Sequence, residues 1–171
     1  TTEPTATPTA KPTAKPTATP TKEPVTIGVR INEFLPVPAQ DGIVDEFEEW
    51  IELYNSGPAT FDLSGWFLDD GPGGSEPYRI ADEMVLLPGG FILFHGRTTG
   101  LVLDDAGDEV RLLDPVAKVV DSVVFGQVLP NASYSRDDLG VWHNDWPPSP
   151  GGPNLPLTPA SLPGRERPAI P

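Results

Sequence analysis

Cysteine is absent from the 171 residues of the chain. Disulfides and thiolate metal sites are therefore excluded, and the redox compartment is left undetermined. Histidine is nearly as scarce, with only His95 and His143. A zinc centre or a Ser-His-Asp triad would need one of them plus converging partners. No Gly-x-Ser-x-Gly elbow occurs, since Ser75 follows Gly-Gly but precedes Glu76-Pro77. His-Glu-x-x-His, Walker and dinucleotide signatures are missing too. Both histidines read as lone surface side chains. Positive charge is also short: Lys and Arg total 11 against 25 Asp and Glu, a formal net charge of −14. A surface this acidic repels phosphate backbones, which disfavours a nucleic-acid partner. No apolar run approaches the length that spans a bilayer, so membrane insertion is not expected. No signal peptide opens the chain either, and a start inside a Thr/Pro-rich linker reads as part of a longer protein.

What is present divides the chain into three. Thr1 to Pro24 consists almost wholly of Thr, Pro, Ala and Lys, with Lys11-Pro-Thr-Ala14 repeated at once as Lys15-Pro-Thr-Ala18. Without a large apolar side chain it cannot offset its ordering entropy, so residues 1–24 read as a disordered, extended stalk. Such composition also favours O-glycosylation. Residues 25–157 carry the branched and aromatic side chains, roughly 130 positions, enough for one domain around one core. Residues 158–171 return to a proline-rich tail.

Within the domain the pattern is all-β. Ile27 to Phe34 alternates through Ile27, Val29 and Ile31. Glu49 to Asn55 sets Ile51 and Leu53 on one face, with Trp50, Glu52 and Tyr54 on the other. Further strands are expected at Gly65–Leu68, Pro77–Ile80, Phe91–Phe94, Glu109–Leu113, Val119–Phe125 and Ser133–Arg136. The intervening Asp69-Asp-Gly-Pro-Gly-Gly74, Pro88-Gly-Gly90 and Asp104-Asp-Ala-Gly-Asp108 have turn chemistry. The one helical signal is a short turn at Asp45–Glu49. About eight short strands with regular turns indicate a sandwich or barrel.

Taken in order, these segments resemble the lamin tail domain. The matching pieces are Ile31-Asn-Glu-Phe34, Glu49-Trp-Ile-Glu-Leu-Tyr-Asn55, Asp62-Leu-Ser-Gly-Trp66 with Leu68 and Asp69, and Leu87-Pro-Gly-Gly90. Gly107-Asp108 with Val110 and Leu112, Val120-Asp-Ser-Val123 with Phe125-Gly126, Ser133-Tyr-Ser-Arg136, Gly140 with Trp142, and Pro150 to Asn154 complete the set. The resemblance implies an immunoglobulin-like β-sandwich that is an interaction module rather than an enzyme. Lamins carry a coiled-coil rod, and this chain has none. Its Thr/Pro stalk fits the bacterial branch, in which the module resembles an add-on to secreted and surface proteins. The nucleic-acid or chromatin binding suggested for lamins is at odds with the acidic composition here.

Several residues are candidates for chemistry, each with a plainer reading beside it. Glu33 and Glu52 on neighbouring strands have the type and number of carboxylates that glycoside hydrolysis uses, but that chemistry also needs a cleft and a raised pKa on one member. Their plainer role is as hydrogen-bond acceptors at the sandwich rim. Asp69, Asp70 and Glu76 around the Gly-Pro-Gly-Gly loop are the candidate calcium ligands, hard oxygens on a flexible loop. They lack EF-hand spacing, and Asp and Gly are also what turns are made of. Asp104, Asp105 and Asp108 carry the same ambiguity. Trp142 and Trp146 are candidate ligand-binding indoles for a glycan or a protein, the alternative being that Trp142 packs as a staple at the sandwich edge. Asn131-Ala-Ser133 matches an N-glycosylation acceptor.

The expected fold is an immunoglobulin-like β-sandwich on a stalk. The expected function is a non-catalytic interaction or accessory module, extracellular or at the cell surface, with a protein or glycan partner and no cofactor beyond the calcium option. A carbohydrate- or calcium-binding module serving an enzyme elsewhere in the full-length protein is the competing class. A hydrolase comes third, since it needs a deep cleft holding Glu33 and Glu52.

Overall fold

The computed structural model describes residues 28–40, 43–44 and 48–156. The stalk, the tail beyond residue 156 and most of the turn expected at Asp45–Glu49 lie outside the described residues.

Among the described residues thirteen strands follow one another: β1 (Val29–Leu35), β2 (Ala39–Gln40), β3 (Ile43–Val44), β4 (Trp50–Asn55), β5 (Phe61–Asp62), β6 (Phe67–Asp69), β7 (Tyr78–Arg79), β8 (Val85–Leu86), β9 (Phe91–His95), β10 (Gly107–Leu113), β11 (Val119–Gly126), β12 (Tyr134–Arg136) and β13 (Trp142–His143). They form a five-stranded sheet in the order β13-β12-β1-β4-β9 and a four-stranded sheet in the order β11-β10-β6-β7. Two small pairs, β2-β3 and β5-β8, complete the set. The pairings are antiparallel, and the two larger sheets make an immunoglobulin-like β-sandwich. Every strand expected from the alternation pattern is present. The short pairs and a four-residue helix, α1 (Gly96–Thr99), were not anticipated. Two-residue strands are too short to carry a periodic signal.

The core lies between the two larger sheets. Ile31, Phe34, Leu53, Leu68, Val110 and Leu112 are fully buried there. Phe34 sits at its centre, 5.0 Å from Phe125 and stacked at 5.3 Å on Tyr134. Turn chemistry sets the edges. Gly90 N–H donates to Leu87 carbonyl at 2.9 Å, with Pro88 and a positive-φ Gly89 between them, the sequence that a type II turn requires. At Gly107 (φ 127°) an added Cβ would stand 2.8 Å from the Phe125 carbonyl oxygen, so the start of β10 needs glycine both for its backbone angle and for its proximity to β11.

The register of β1 decides where the polar side chains go. Ile31 opposes Leu53, but the next partner of Glu52 is Glu33, so Asn32 is an extra residue and β1 bulges there. Simple alternation would turn Ile31 and Phe34 to opposite faces. The bulge restores both to the core and leaves Asn32 and Glu33 together on the outer face of the sheet. That outer face is not wholly solvated, as Trp50 and Glu52 on it are buried.

Candidate functional site

Glu33 and Glu52 sit side by side on the outer face of β1 and β4, both at 0% exposure. A segment far along the chain lies over them. Ser149 N–H donates to both Glu33 oxygens at 3.0 and 3.1 Å, and its hydroxyl donates to Oε2 at 2.9 Å. Ser133 and Ser135 donate to Glu33 Oε1 at 2.6 and 2.9 Å. Glu52 accepts from Gly151 N–H and, at 2.8 Å, from Asn32 Nδ2. Asn154 closes the segment, its Nδ2 donating to the carbonyls of Asn32 and Arg136 at 2.9 Å each and its Oδ1 accepting from the Ser149 hydroxyl. Residues 149–154 thus form a strap stitched across the sheet. Burial pushes the Glu52 carboxyl up to about 7; the Gly151 amide and Asn32 oppose that push, and the nearby Glu33 charge adds to it. A raised carboxyl beside a second carboxylate has the electronic character of an acid–base pair. These oxygens, however, accept from internal donors beneath the strap.

The expected calcium ligands do not converge. Asp69 on β6 is taken by Arg111 of β10, whose Nε donates to Oδ2 at 2.7 Å while its Nη2 donates to the same oxygen. Asp70 turns the other way, and its carboxylate accepts the Ser75 amide at 2.8 and 3.0 Å. Glu76 is exposed. The structure thus gives Asp69, Asp70 and Glu76 separate surroundings and does not bring them together as one ligand set. Asp70 instead lines an open cleft of about 600 Å³ with Ser75, Leu103, Asp104, Asp105 and Asp108. Within it Asp104 Oδ1 holds the Ala106 amide at 2.8 Å, and Asp108 Oδ1 holds the Glu109 amide at 2.8 Å, so these carboxylates shape their own turn. Among the described residues no group of three or more His, Asp or Glu side chains is arranged to hold a metal ion.

The lamin tail domain model matches residues 23–127. The chain belongs to the lamin tail domain family. Among curated proteins nothing matches it significantly. The family is one of immunoglobulin-like, non-enzymatic domains, in agreement with the sandwich described above. In this lamin tail domain β12, β13 and the strap lie beyond the matched span.

Trp142 and Trp146, the expected ligand-binding indoles of this lamin tail domain, have different ring partners. Trp142 packs on the core, its ring 5.6 Å from Phe34, with the Arg136 guanidinium 5.5 Å from its centroid. It is the staple. Trp146 stacks instead on His143, 4.0 Å away at 10°. His143 Nε2 lies 3.1 Å from Asp137 Oδ2, and that imidazole, with the Val141 and Leu139 amides, holds the Asp137 carboxyl below its usual value. Both ring partners are half-buried, and they lead directly into the strap. His95 lies on β9 opposite Trp50, away from His143. Asn131 is also in structural use: its Oδ1 accepts the Ala39 amide and its Nδ2 donates to the Ala39 carbonyl, each at 2.9 Å. Ser133 of the same tripeptide is buried against Glu33.

Sequence reasoning missed the strap as a partner of the carboxylates. Its residues were visible as a Pro- and Gly-rich closing segment, but nothing local showed which surface it would cover. Ion pairs between residues distant in sequence were also missed. Besides Asp69–Arg111, the inward-facing Asp121 of β11 accepts from Arg136 Nη1 at 2.8 Å and from the Ile31 amide at 2.9 Å, joining the two sheets. Among the described residues no helix is long and apolar enough to cross a membrane.

Proposed function

We propose that this chain is a non-catalytic interaction or accessory module, carried outside the cell or on its surface by a larger protein, which presents its loops to a protein or glycan. One observation carries the non-catalytic part. The pair of carboxylates with acid–base character is engaged by seven internal hydrogen bonds under the strap. Catalysis needs a reacting atom within hydrogen-bond reach of such a group, and here protein donors fill that space. The Thr/Pro composition of residues 1–24 supports display on a stalk, and the net charge of −14 disfavours a nucleic-acid partner. The carbohydrate- or calcium-binding reading is less favoured, since Trp142 packs on the core and Asp69 pairs with Arg111.

Hydrolysis of a panel of chromogenic glycosides by the chain and by its Glu33→Gln variant tests this reading. The expected result is no turnover above blank for either, with a lower melting temperature for the variant. Turnover by the parent chain that the variant loses while melting unchanged would overturn it.

A further inference from the structure

We propose that the free edge of β11, together with the inner face of β13 that overhangs it, is a strand-addition site for an extended, positively charged segment of a partner protein. The proposal rests on the reading of the chain as an interaction module and names where a protein partner docks. β11 ends the four-stranded sheet with β10 on one side, and among the described residues no strand pairs with its other side. Alternate residues of such an edge direct both N–H and C=O away from the neighbouring strand, where they await a partner. Edge strands are ordinarily blunted by proline, by charge or by a bulge. β11 contains no proline, and its single charged residue, Asp121, turns inward to Arg136 and the Ile31 amide. Val120 is an extra residue in the pairing with β10, but that bulge sits near the start, and residues 121–126 keep a regular register. Ser122, Val124 and Gly126 face outward there and are exposed, Val124 at 76%.

The opposite sheet supplies a ceiling. Phe125 stands 5.0 Å from Phe34 of β1 and 5.6 Å from Tyr134 of β12, so β11 faces β1 and β12. β13 lies one strand further out and extends past it. Trp142 on β13 shares the inward side of Arg136, its register partner, and its indole is half-buried. A strand added beside β11, about 4.8 Å away, would lie under β13 and cover the rest of that indole. Charge selects the occupant. On β10 Asp108 and Glu109 oppose Phe125 and Val124, while Arg111 and Arg136 are already held by Asp69 and Asp121. Lys118 stands apart, before the strand begins. With a net charge of −14, a second copy of the chain is repelled. The chain's own stalk has a proline at every fourth position from Pro4 to Pro24, and its tail has Pro159, Pro163, Pro168 and Pro171, none of which can donate to a ladder. A basic, proline-free strand from another protein satisfies backbone and charge together.

Nuclear magnetic resonance on the full chain tests the site, with synthetic peptides of about ten residues as probes. Lys or Glu alternates in them with Val, Ile, Thr, Tyr or Phe. Members of the Lys series should bind about tenfold more tightly than their Glu counterparts, and should slow amide exchange at alternate residues of 121–126 by roughly tenfold or more. N-methylation of alternate peptide residues keeps the charge but removes ladder donors, so one of the two methylated registers should lose the binding. In the chain, Val124→Lys should weaken binding by about tenfold with melting unchanged. Leu87→Lys adds the same charge at an exposed turn before β9, on the far edge of the other sheet, and should leave binding as it was. Lys peptides that fail to bind, that bind without slowing exchange in 121–126, or that tolerate both methylated registers overturn the strand site. The peptide measurements need no variant of the chain. Each of those results leaves the non-catalytic reading standing, because that reading fails on a different measurement, glycoside turnover by the parent chain.

Discussion

Replacing Glu33 with alanine removes the acceptor of five hydrogen bonds from a site with no exposure to solvent. Hydrogen bonds to a charged group contribute about 1.5–3 kcal/mol each, and a buried donor left without a partner costs about 1–3 kcal/mol. Three effects reduce the sum. Ser133 and Ser135 hydroxyls already lie 3.1 Å apart and can satisfy each other in part. Ser149, on the strap, can turn to water. The mutation also removes a desolvated charge and its repulsion of Glu52. A net loss of about 3 kcal/mol remains, which for a domain of this size lowers the melting temperature by about 10 °C. Calorimetry with urea titration measures it. A double-mutant cycle with Ser149→Ala locates the loss, with an expected coupling of about 1–2 kcal/mol because the two residues are in contact. A loss under about 1 kcal/mol with no coupling would refute the reasoning, since it would mean that the strap does not rest on the sheet in solution.

Three other outcomes are expected. Asp69→Ala strands the Arg111 guanidinium beside a fully buried position and should cost about 3 kcal/mol by chemical denaturation, whereas Glu76→Ala, on an exposed side chain, should cost under about 0.5 kcal/mol. Trp142→Ala opens a gap beside Phe34 and should cost about 2 kcal/mol by thermal melting, reduced from the full-burial value because the indole is half-buried. Trp146→Ala removes one face of a surface stack and should cost under about 1 kcal/mol. Melting temperatures in calcium and in EDTA should agree within about a degree, since Asp69 and Asp70 are committed to Arg111 and to the Ser75 amide; a rise of several degrees with calcium, lost in EDTA, would show that the cleft rearranges around an ion.

The fold was legible in the sequence wherever one face of a strand is apolar and the other is not. Val110 and Leu112 inside β10, alternating with Glu109 and Arg111, state their own orientation. Turns were legible as well, since the Pro88-Gly89-Gly90 run admits few backbone conformations. The site was not legible to the same degree because its contacts are remote in sequence. Asp69 meets Arg111 across 42 positions and Glu33 meets Ser149 across 116. An Asp in a turn-rich loop looks the same to a reader of sequence whether its carboxylate awaits an ion or is already bound by an arginine.

One local signal did exist. Between Ile31 and Phe34 stand two polar residues where strict alternation allows one, and two apolar side chains three apart cannot both face the core of an unbroken strand. Either Phe34 leaves the core or the strand bulges. A phenylalanine in a small sandwich makes the first option expensive, so the bulge is the physical solution, and it doubles the polar side chains on the outer face. Asn32 and Glu33 are placed there together by that one irregularity, opposite Glu52. A row of one amide and two carboxyls on a β-sheet cannot become buried unless something brings donors to it. The Pro- and Gly-rich segment ending in Asn154 does so with the Ser149 and Gly151 amides and the Asn154 side chain. The doubled polar pair in β1 and the closing segment more than a hundred residues later are therefore two halves of one structural device. Neither half is explained without the other.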